Sequence, residues 1–241
     1  MAGEMGYASA LTASRWGFND VVFKDKQVVI SRKLGSYVME NILFKVSFPA
    51  EFHAQTAAEA AVQLHPTVID RLDAIQKITI HTQESAVRII DKQGPLANPA
   101  DRDHCLQYIV AVAMLHGELN SEHYEDAAAA DPRIDQLRQK MVVIEDPGYT
   151  RDYLDSDLRS ISNRIQVHFA DGTTSKAIEV EFPLGHRRRR AESIVPLETK
   201  FRQNAGTRFP HSRVNTILKM FDAKDALLKM RVSHFMELFV E

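Results

Sequence analysis

The sequence of 241 residues contains one cysteine, Cys105, and lacks the motifs that identify several common enzyme classes. One cysteine excludes a disulfide within the chain and a cluster held by several of its own thiolates. The sequence has no His-x-x-x-His or Cys-x-x-Cys pair, no glycine-rich phosphate loop and no Gly-x-Ser-x-Gly turn. These absences argue against a metal site, a nucleotide enzyme and a serine hydrolase.

Neither charge nor hydropathy dominates the chain. Its formal net charge is −2, with 44% hydrophobic and 26% charged residues, as in soluble globular proteins. A nearly neutral chain has no general attraction to nucleic acid. No apolar run approaches the roughly 18 residues of a membrane span, and the first residues lack the basic start and apolar core of a signal peptide. We therefore expect no nucleic-acid partner, no membrane segment and a cytoplasmic location.

Hydrophobic periodicity predicts an α+β fold, because several strands and helices occur with few strand–helix–strand crossovers. Strands are predicted at the end of Tyr37–Phe48, at Ile75–Thr82, at Met141–Glu145, and in a hairpin of Arg164–Phe169 and Thr174–Phe182. Helices are predicted at Gln55–Leu64, Thr67–Ala74, Gln83–Asp91, Asp101–Leu115 and Asp131–Lys140, and in three pieces from Glu192 to Phe239. Pro66 is expected to stop the first helix, and Gly117 to end the fourth.

The turn at Phe48-Pro49 separates the two clearest candidates for chemistry, Lys45 and His53. Proline prevents the preceding strand from continuing as a helix. A cation at a strand end and an imidazole just before a helix N-terminus are well placed to act on an anion. The alternative is structural, with Lys45 on the solvent face of an edge strand and His53 as a cap of the next helix.

Five segments of the chain resemble one known family. They are Phe44–Ala57, Ile80–Asp91, Gly94–Cys105, Ala130–Asp135 and Gly185–Glu192. These segments are similar to the 2-methylcitrate dehydratases of the MmgE/PrpD family, enzymes of propionate breakdown, and the likeness spans nearly the whole chain. The resemblance implies that the fold is the family's C-terminal domain, a small mixed or antiparallel sheet packed with helices.

The resemblance also implies a division of the chain. Residues 1–35 are expected to be a remnant of the family's all-helical N-terminal domain or a linker. Residues 36–190 would form the α/β domain, and residues 191–241 would be helices that return toward the helical domain. The sequence is interpreted as a C-terminal half, from a truncated gene product or a split enzyme. The missing helical domain would then be supplied in cis or in trans, and a homodimer is expected.

The activity implied by the resemblance is dehydration of 2-methylcitrate to 2-methyl-cis-aconitate, with no cofactor and no iron–sulfur cluster. Such a reaction needs a base, an acid and cations that hold carboxylates. By resemblance, Lys45 anchors a carboxylate, His53 donates or accepts a proton, and Tyr108 assists the departing hydroxyl or orients the substrate. Tyr108 lies on a helix predicted to be buried, so a packing ring is its alternative role. His104 is either a further substrate-binding residue or a capping charge.

A run of four arginines, Arg187–Arg190, follows His186 near the predicted hairpin. Arg187 and Arg188 are candidates for binding substrate carboxylates, because the guanidinium group can donate two parallel hydrogen bonds to one carboxylate. The alternatives are ion pairs with nearby acidic residues or a partner subunit. A nucleic-acid patch is a third possibility, although a single basic run in a neutral chain is weak support for it.

Two other functions stay open. The chain could be a non-catalytic interaction or dimerisation half, in which case Trp16, Phe18 and Phe23 should form an exposed apolar patch. It could also be a cis-aconitate decarboxylase with the same fold. As half of a dehydratase, the chain alone is expected to have little or no activity, because removing part of a cooperating site costs orders of magnitude in rate.

Overall fold

The computed structural model describes residues 6, 8–24, 26, 29, 35 and 42–240. The chain divides into two compact units, residues 1–41 and residues 42–241. In the first unit, helix α1, Phe18–Phe23, ends at Lys24 in a left-handed conformation. Trp16 is 82% exposed, and Phe18 and Phe23 are exposed as well. These side chains therefore have the exposure that the interaction-module interpretation predicts.

Four strands form one mixed sheet among the described residues of the second unit, in the order β2–β1–β3–β4. The strands are β1, Ile75–Thr82; β2, Met141–Glu145; β3, Asn163–Phe169; and β4, Ile178–Val180. β1 pairs in parallel with β2, and β3 is antiparallel to both β1 and β4. β1 and β2 have the predicted bounds, while β4 is shorter than predicted. The hairpin turn places Gly172 at φ +82°, a conformation that favours glycine.

Helices occur before, between and after the strands. The α-helices are α2, Gln55–Val68; α3, Glu84–Ile90; α4, Pro99–Asp103; α5, Leu106–His116; α6, Asp126–Ala129; α7, Pro132–Arg138; α8, Pro147–Leu154; α9, Ile194–Gly206; α10, His211–Asp222; α11, Lys224–Lys229; and α12, Val232–Glu237. Short 3-10 helices cover Phe52–Ala54, Ile69–Ala74, Ser121–Tyr124, Arg187–Arg189 and Ala191–Ser193. Within the described part of the chain, no helix combines the length and apolar character needed to cross a membrane.

The core lies between helices α2 and α5 and one face of the sheet. α2 contacts α5, β3 and β4. Residues 106–115 of α5 are all buried, and the helix ends at Gly117 with φ +68°. Along β3, Ile165, Val167 and Phe169 are buried while the residues between them are partly exposed, so alternate side chains face the helices. This architecture confirms the predicted α+β fold with a small mixed sheet.

The strand predicted to end near Phe48 is wrong, because residues 42–48 form no strand. Their backbone instead bonds to side chains from the C-terminal part of the chain. The carbonyl of Ile42 accepts Nη2 of Arg190 at 3.1 Å, and the carbonyl of Lys45 accepts Nζ of Lys200 at 2.6 Å. Because these two carbonyls already accept hydrogen bonds from side chains, they do not require the N–H groups of a neighbouring strand.

The single helix predicted at Asp101–Leu115 is also wrong, because α4 and α5 are separated by His104 and Cys105. In a continuous helix, the carbonyl of Asp103 would accept the N–H of Gln107. Here that carbonyl accepts the N–H of Glu51, at 3.0 Å. A tertiary contact therefore interrupts the helix and joins it to the Phe48-Pro49 turn.

Pro66 does not stop the first predicted helix, which continues to Val68 as α2 and then as a 3-10 helix. A proline near the end of a helix removes one backbone hydrogen bond. Leu64 and Val68 are buried on the same face of α2. Burial of this last turn offsets the lost bond, because a buried Val or Leu side chain is worth about 1.5–3 kcal/mol.

Candidate active site

Glu51 and His53 form a tight pair at the start of α2. Glu51 precedes the 3-10 turn of His53, and its Oε2 accepts the backbone N–H of His53 at 2.7 Å. Its Oε1 lies 2.8 Å from Nδ1 of the His53 ring, and both side chains are largely buried. Burial acts to raise the pKa of Glu51, but its hydrogen bonds and charge interaction with His53 outweigh burial and lower that pKa. Glu51 is therefore a carboxylate at neutral pH.

Tyr153 occupies the other side of the His53 ring. Its hydroxyl lies 3.1 Å from Nε2, and the ring centroids are 5.5 Å apart. A carboxylate only accepts hydrogen bonds, so Nδ1 carries the proton that faces Glu51. When the ring carries only this proton, Nε2 is an acceptor for the Tyr153 hydroxyl. Glu51, His53 and Tyr153 thus form a chain of hydrogen bonds, which we call the acid–base chain.

Buried amides fix the backbone around this chain. Nδ2 of Asn163 donates to the carbonyl of His53 at 2.9 Å and to Oγ1 of Thr56 at 2.8 Å. Nε2 of Gln55 donates to the carbonyls of Phe48 and Ala50, each at 2.9 Å. These bonds hold the Pro49 turn and the His53 backbone against β3 and α2. Hydrogen bonds from buried side chains therefore hold the backbone that carries the acid–base chain.

Lys45 lies on the extended segment that leads into this turn, and its side chain is exposed. Among the hydrogen bonds and ion pairs described, none joins its ammonium group to His53. Its position is fixed by its backbone, because its carbonyl accepts Nζ of Lys200. The adjacent carbonyl of Phe44 packs so closely on Gly185, at φ +96°, that a Cβ there would overlap with it.

Tyr108 is buried on α5 and is engaged in other contacts. Its hydroxyl donates to the carbonyl of His123 at 2.7 Å, and its ring stacks on Tyr124 at 6.0 Å. Burial raises its pKa, although the nearby charges of Arg102 and Arg138 act in the opposite direction. Tyr108 lines a cavity of about 250 Å³ with these two arginines. None of the described contacts joins it to the acid–base chain.

His104 stands at the break between α4 and α5. Its Nδ1 lies 2.5 Å from Oδ1 of Asp103, and its side chain is half exposed. The carbonyl of Asp103 also accepts the Glu51 N–H. The backbone next to His104 is therefore bonded directly to the turn that holds the acid–base chain.

Arg187 and Arg188 lie in a 3-10 turn that begins after His186. Both donate to the backbone carbonyl of Asp157, Arg188 at 3.3 Å. Asp157 lies in the loop after α8, four residues beyond Tyr153, so the two arginines contact the segment that follows the acid–base chain. Burial and the two arginine charges lower the pKa of His186, which keeps its ring neutral and lets Nδ1 accept the Arg188 N–H at 3.2 Å.

Arg189 has a different environment from its two predecessors. It donates to both carboxylate oxygens of Glu59, at 2.9 and 3.0 Å, and also bonds Glu192 and the carbonyl of Phe182. Both the Arg189 and Glu59 side chains are 20% exposed. This member of the arginine run therefore has the structural ion-pairing role that was one of the sequence-based alternatives.

Sequence reasoning missed two members of the acid–base chain, Glu51 and Tyr153. Glu51 was detectable, because a carboxylate can bond the backbone N–H of the residue two positions further along the chain, which here is the histidine. Tyr153 had no signal, since it lies 100 residues from His53 in the sequence. Within the described residues, no three His, Cys, Asp or Glu side chains are placed to hold a metal ion.

Comparisons with known proteins bear on this site. The MmgE/PrpD C-terminal domain matches residues 48–226. The chain is 53% identical to a 2-methylcitrate dehydratase of Cupriavidus necator over 240 residues, 98% of this chain and 50% of that protein. It is 51% identical to a 2-methylcitrate dehydratase of Salmonella typhimurium over 245 residues, 99% of this chain and 50% of that protein.

A mitochondrial 2-methylcitrate dehydratase of Yarrowia lipolytica is 48% identical over 243 residues, 99% of this chain and 46% of that protein. The chain thus spans about half the length of the curated relatives it matches. The domain match includes His53, Tyr153 and the arginine turn, and it covers most of the chain. On these grounds, the chain belongs to the MmgE/PrpD family and carries that family's C-terminal domain.

Proposed function

We propose that this chain supplies the His53-bearing part of the active site of a 2-methylcitrate dehydratase. The reaction is the removal of water from 2-methylcitrate to give 2-methyl-cis-aconitate, in propionate catabolism through the methylcitrate cycle. The observation that carries the proposal is the acid–base chain: an ionised Glu51 bonded to His53, whose Nε2 bonds Tyr153. Family membership and relatives named as 2-methylcitrate dehydratases support it.

In the proposed mechanism, Nε2 of His53 takes the proton from the carbon next to a substrate carboxylate. The electron pair of that C–H bond forms the new double bond, and the C–O bond to the neighbouring carbon breaks with its electrons going to oxygen. The departing hydroxide takes a proton from solvent or from an acid outside these three residues and leaves as water. Glu51 stabilises the imidazolium that results, and Tyr153 orients the ring before substrate binds. We assign no acid to the departing hydroxyl among these three residues.

The other predicted residues keep secondary roles in this proposal. Lys45 is the anchor for a carboxylate, and Arg187 and Arg188 are candidates for a second one. His104 stays a candidate for binding substrate, since the carbonyl of its neighbour Asp103 bonds the turn that carries His53. Tyr108 is the least supported candidate, because its hydroxyl is bonded to His123. A homodimer, a cytoplasmic location and a helical domain in cis or in trans also stay predictions.

The decisive experiment joins this chain to the N-terminal half of the Cupriavidus necator relative and measures dehydration of 2-methylcitrate. The hybrid protein should be active, and His53→Gln should lower kcat by about 100-fold or more, the usual contribution of a general acid or base. His234→Gln, at an exposed histidine of α12, is the matched control and should leave kcat unchanged. A folded hybrid without dehydratase activity would contradict the proposal.

A non-catalytic interaction half is the second candidate function, and one observation favours it. Trp16 is 82% exposed beside the exposed Phe18 and Phe23, an arrangement typical of a surface that another domain covers. This function predicts that the helical half of a relative binds the chain while the joined protein stays inactive. The hybrid experiment separates the two functions, and assay of its products from cis-aconitate for itaconate tests the decarboxylase alternative.

A further inference from the structure

We propose that Lys45, Arg190 and Lys200 form a cationic subsite that binds a carboxylate of a small polycarboxylic acid. We call these three residues the cationic cluster. The inference rests on the proposed function, because it names the place where part of the substrate's negative charge is held. Sequence reasoning did not single out Lys200, and it considered Arg190 only as one member of the run Arg187–Arg190.

Hydrogen bonds to backbone carbonyls place the side chains of Arg190 and Lys200 on the segment that carries Lys45. Lys200, on α9, places its ammonium group 2.6 Å from the carbonyl of Lys45. Arg190 places Nη2 at 3.1 Å from the carbonyl of Ile42, and its guanidinium lies 5.8 Å from the ring of Phe44. The two long side chains therefore converge on the same short segment that carries Lys45. The same segment continues into the turn of the acid–base chain.

Among the residues that the structure describes, no acidic side chain forms an ion pair with this cluster. Glu59 and Glu192 are bonded to Arg189, and Glu198 is bonded to Arg202 on α9. Among the described ion pairs, none involves Lys45, Arg190 or Lys200. Within the described structure, these like charges therefore lie along one segment without a carboxylate partner. Such an arrangement is unfavourable without a bound anion, and it attracts one.

Lys200 and Arg190 each lie in an environment that is unfavourable for a cation. Partial burial, followed by the charge of Lys45, lowers the pKa of Lys200. Nε of Arg190 is buried without a hydrogen-bond partner in the described structure. Lys200 and Arg190 each use one hydrogen-bond donor to hold residues 42–46, and each keeps further donors for a ligand. A carboxylate between them would accept hydrogen bonds from these remaining donors and raise the pKa of Lys200.

The test measures citrate binding to the 241-residue chain by calorimetry at low ionic strength and neutral pH. Citrate is the probe because it is a tricarboxylate available without synthesis. Lys200→Gln and Arg190→Gln should each weaken binding about tenfold, as loss of a charged hydrogen bond does. Lys200→Arg should retain binding. Lys176→Gln, which removes the same charge at an exposed position between β3 and β4, should leave it unchanged.

A second measurement separates binding from folding. In NMR titrations of the lysine side chains, citrate should raise the pKa of Lys200 in the wild-type chain, because a bound anion favours the ammonium form. Absence of saturable citrate binding, or equal weakening by Lys176→Gln, would overturn the proposal. So would citrate binding that leaves the Lys200 titration unmoved.

The outcomes also distinguish this inference from the proposed function. If the hybrid protein dehydrates 2-methylcitrate and Lys200→Gln leaves its KM unchanged, the cationic cluster fails while the function stands. If the chain binds citrate through Lys200 and the folded hybrid is inactive, the function fails while the cluster stands.

Discussion

Nε2 of His53 lies 3.1 Å from the hydroxyl of Tyr153, although the two residues are 100 positions apart in the chain. The bond connects the turn before α2 with the last turn of α8, which follows β2. Glu51 completes the arrangement on the opposite nitrogen of the ring. An imidazole held at both nitrogens has a fixed orientation and a fixed tautomer, which are the properties that proton transfer requires.

Replacing Tyr153 with phenylalanine in the hybrid protein should lower kcat about tenfold while KM stays within about twofold, because the hydroxyl orients His53 without binding substrate. Steady-state kinetics with 2-methylcitrate measures both constants. Tyr149→Phe is the matched control, since Tyr149 lies on the same helix and bonds Glu179 instead. A larger effect of Tyr149→Phe on kcat would remove Tyr153 from the site.

Replacing Glu51 with glutamine should make folding stability less dependent on pH. The pKa of Glu51 is lowered in the folded chain, so its contribution is fully present above the unfolded pKa, about 4.3. That contribution is lost as pH falls through the folded pKa. Urea unfolding should show Glu51→Gln destabilised by about 1 kcal/mol at pH 7, with the difference shrinking toward pH 3.

The control for this experiment is Glu125→Gln, at an exposed position with no described side-chain hydrogen bond. It should leave the pH dependence of unfolding as in the wild-type chain. A difference between Glu51→Gln and wild type that stays constant from pH 7 to pH 3 would show that the carboxylate charge does not stabilise the His53 turn.

Replacing Gly185 with alanine should destabilise the chain by about 3 kcal/mol, because a left-handed conformation costs a non-glycine residue about 1–3 kcal/mol and the new Cβ also overlaps with the Phe44 carbonyl. Gly172→Ala has a similar φ of +82° but open space around it, so it should cost about 1 kcal/mol. Urea denaturation gives the free energy of unfolding of both variants, and the difference between them is the cost of the overlap with the Phe44 carbonyl. Equal costs would mean that residues 42–46 do not pack on Gly185.

Replacing Arg189 with glutamine should destabilise the chain by about 2 kcal/mol, since hydrogen bonds to charged groups are worth about 1.5–3 kcal/mol when shielded from water. Its two bonds to Glu59 tie the arginine turn to α2. Arg202→Gln removes a more exposed pair with Glu198 and should cost about 0.5 kcal/mol or less. Chemical denaturation compares the two, and a larger loss for Arg202→Gln would reverse their assigned roles.

Local patterns predicted those elements whose burial follows directly from sequence period. β1 and β2 have the predicted bounds, because alternating or continuous β-branched residues fit a sheet that is covered on one face. α5 ends at Gly117 as predicted, because glycine adopts the left-handed cap without strain. The errors at residues 42–48 and at His104 share a cause: distant groups took the backbone carbonyls that a local element would have used.

Some residues of the candidate site were predicted from the sequence, and others were identified only in the folded structure. His53 and Lys45 were predicted from sequence, because they flank a Phe-Pro turn that lies just before a helix. Tyr153 and Lys200 required the folded chain, because hydrogen bonds between residues so far apart in sequence leave no local sequence pattern. Tyr108 shows the converse, since its place on a buried helix was predicted while its bond to His123 was not.

The sequence by itself determined that this chain is an α+β protein of the MmgE/PrpD type, with an imidazole beside a proline turn and no thiolate cluster of its own. Those properties depend on composition, on short-range periodicity and on contiguous motifs. Only the tertiary structure decided which groups meet that imidazole and which cations converge on Lys45. The physical reason is that charge and hydrogen bonding act through space over a few ångströms, whatever the separation of the residues along the chain.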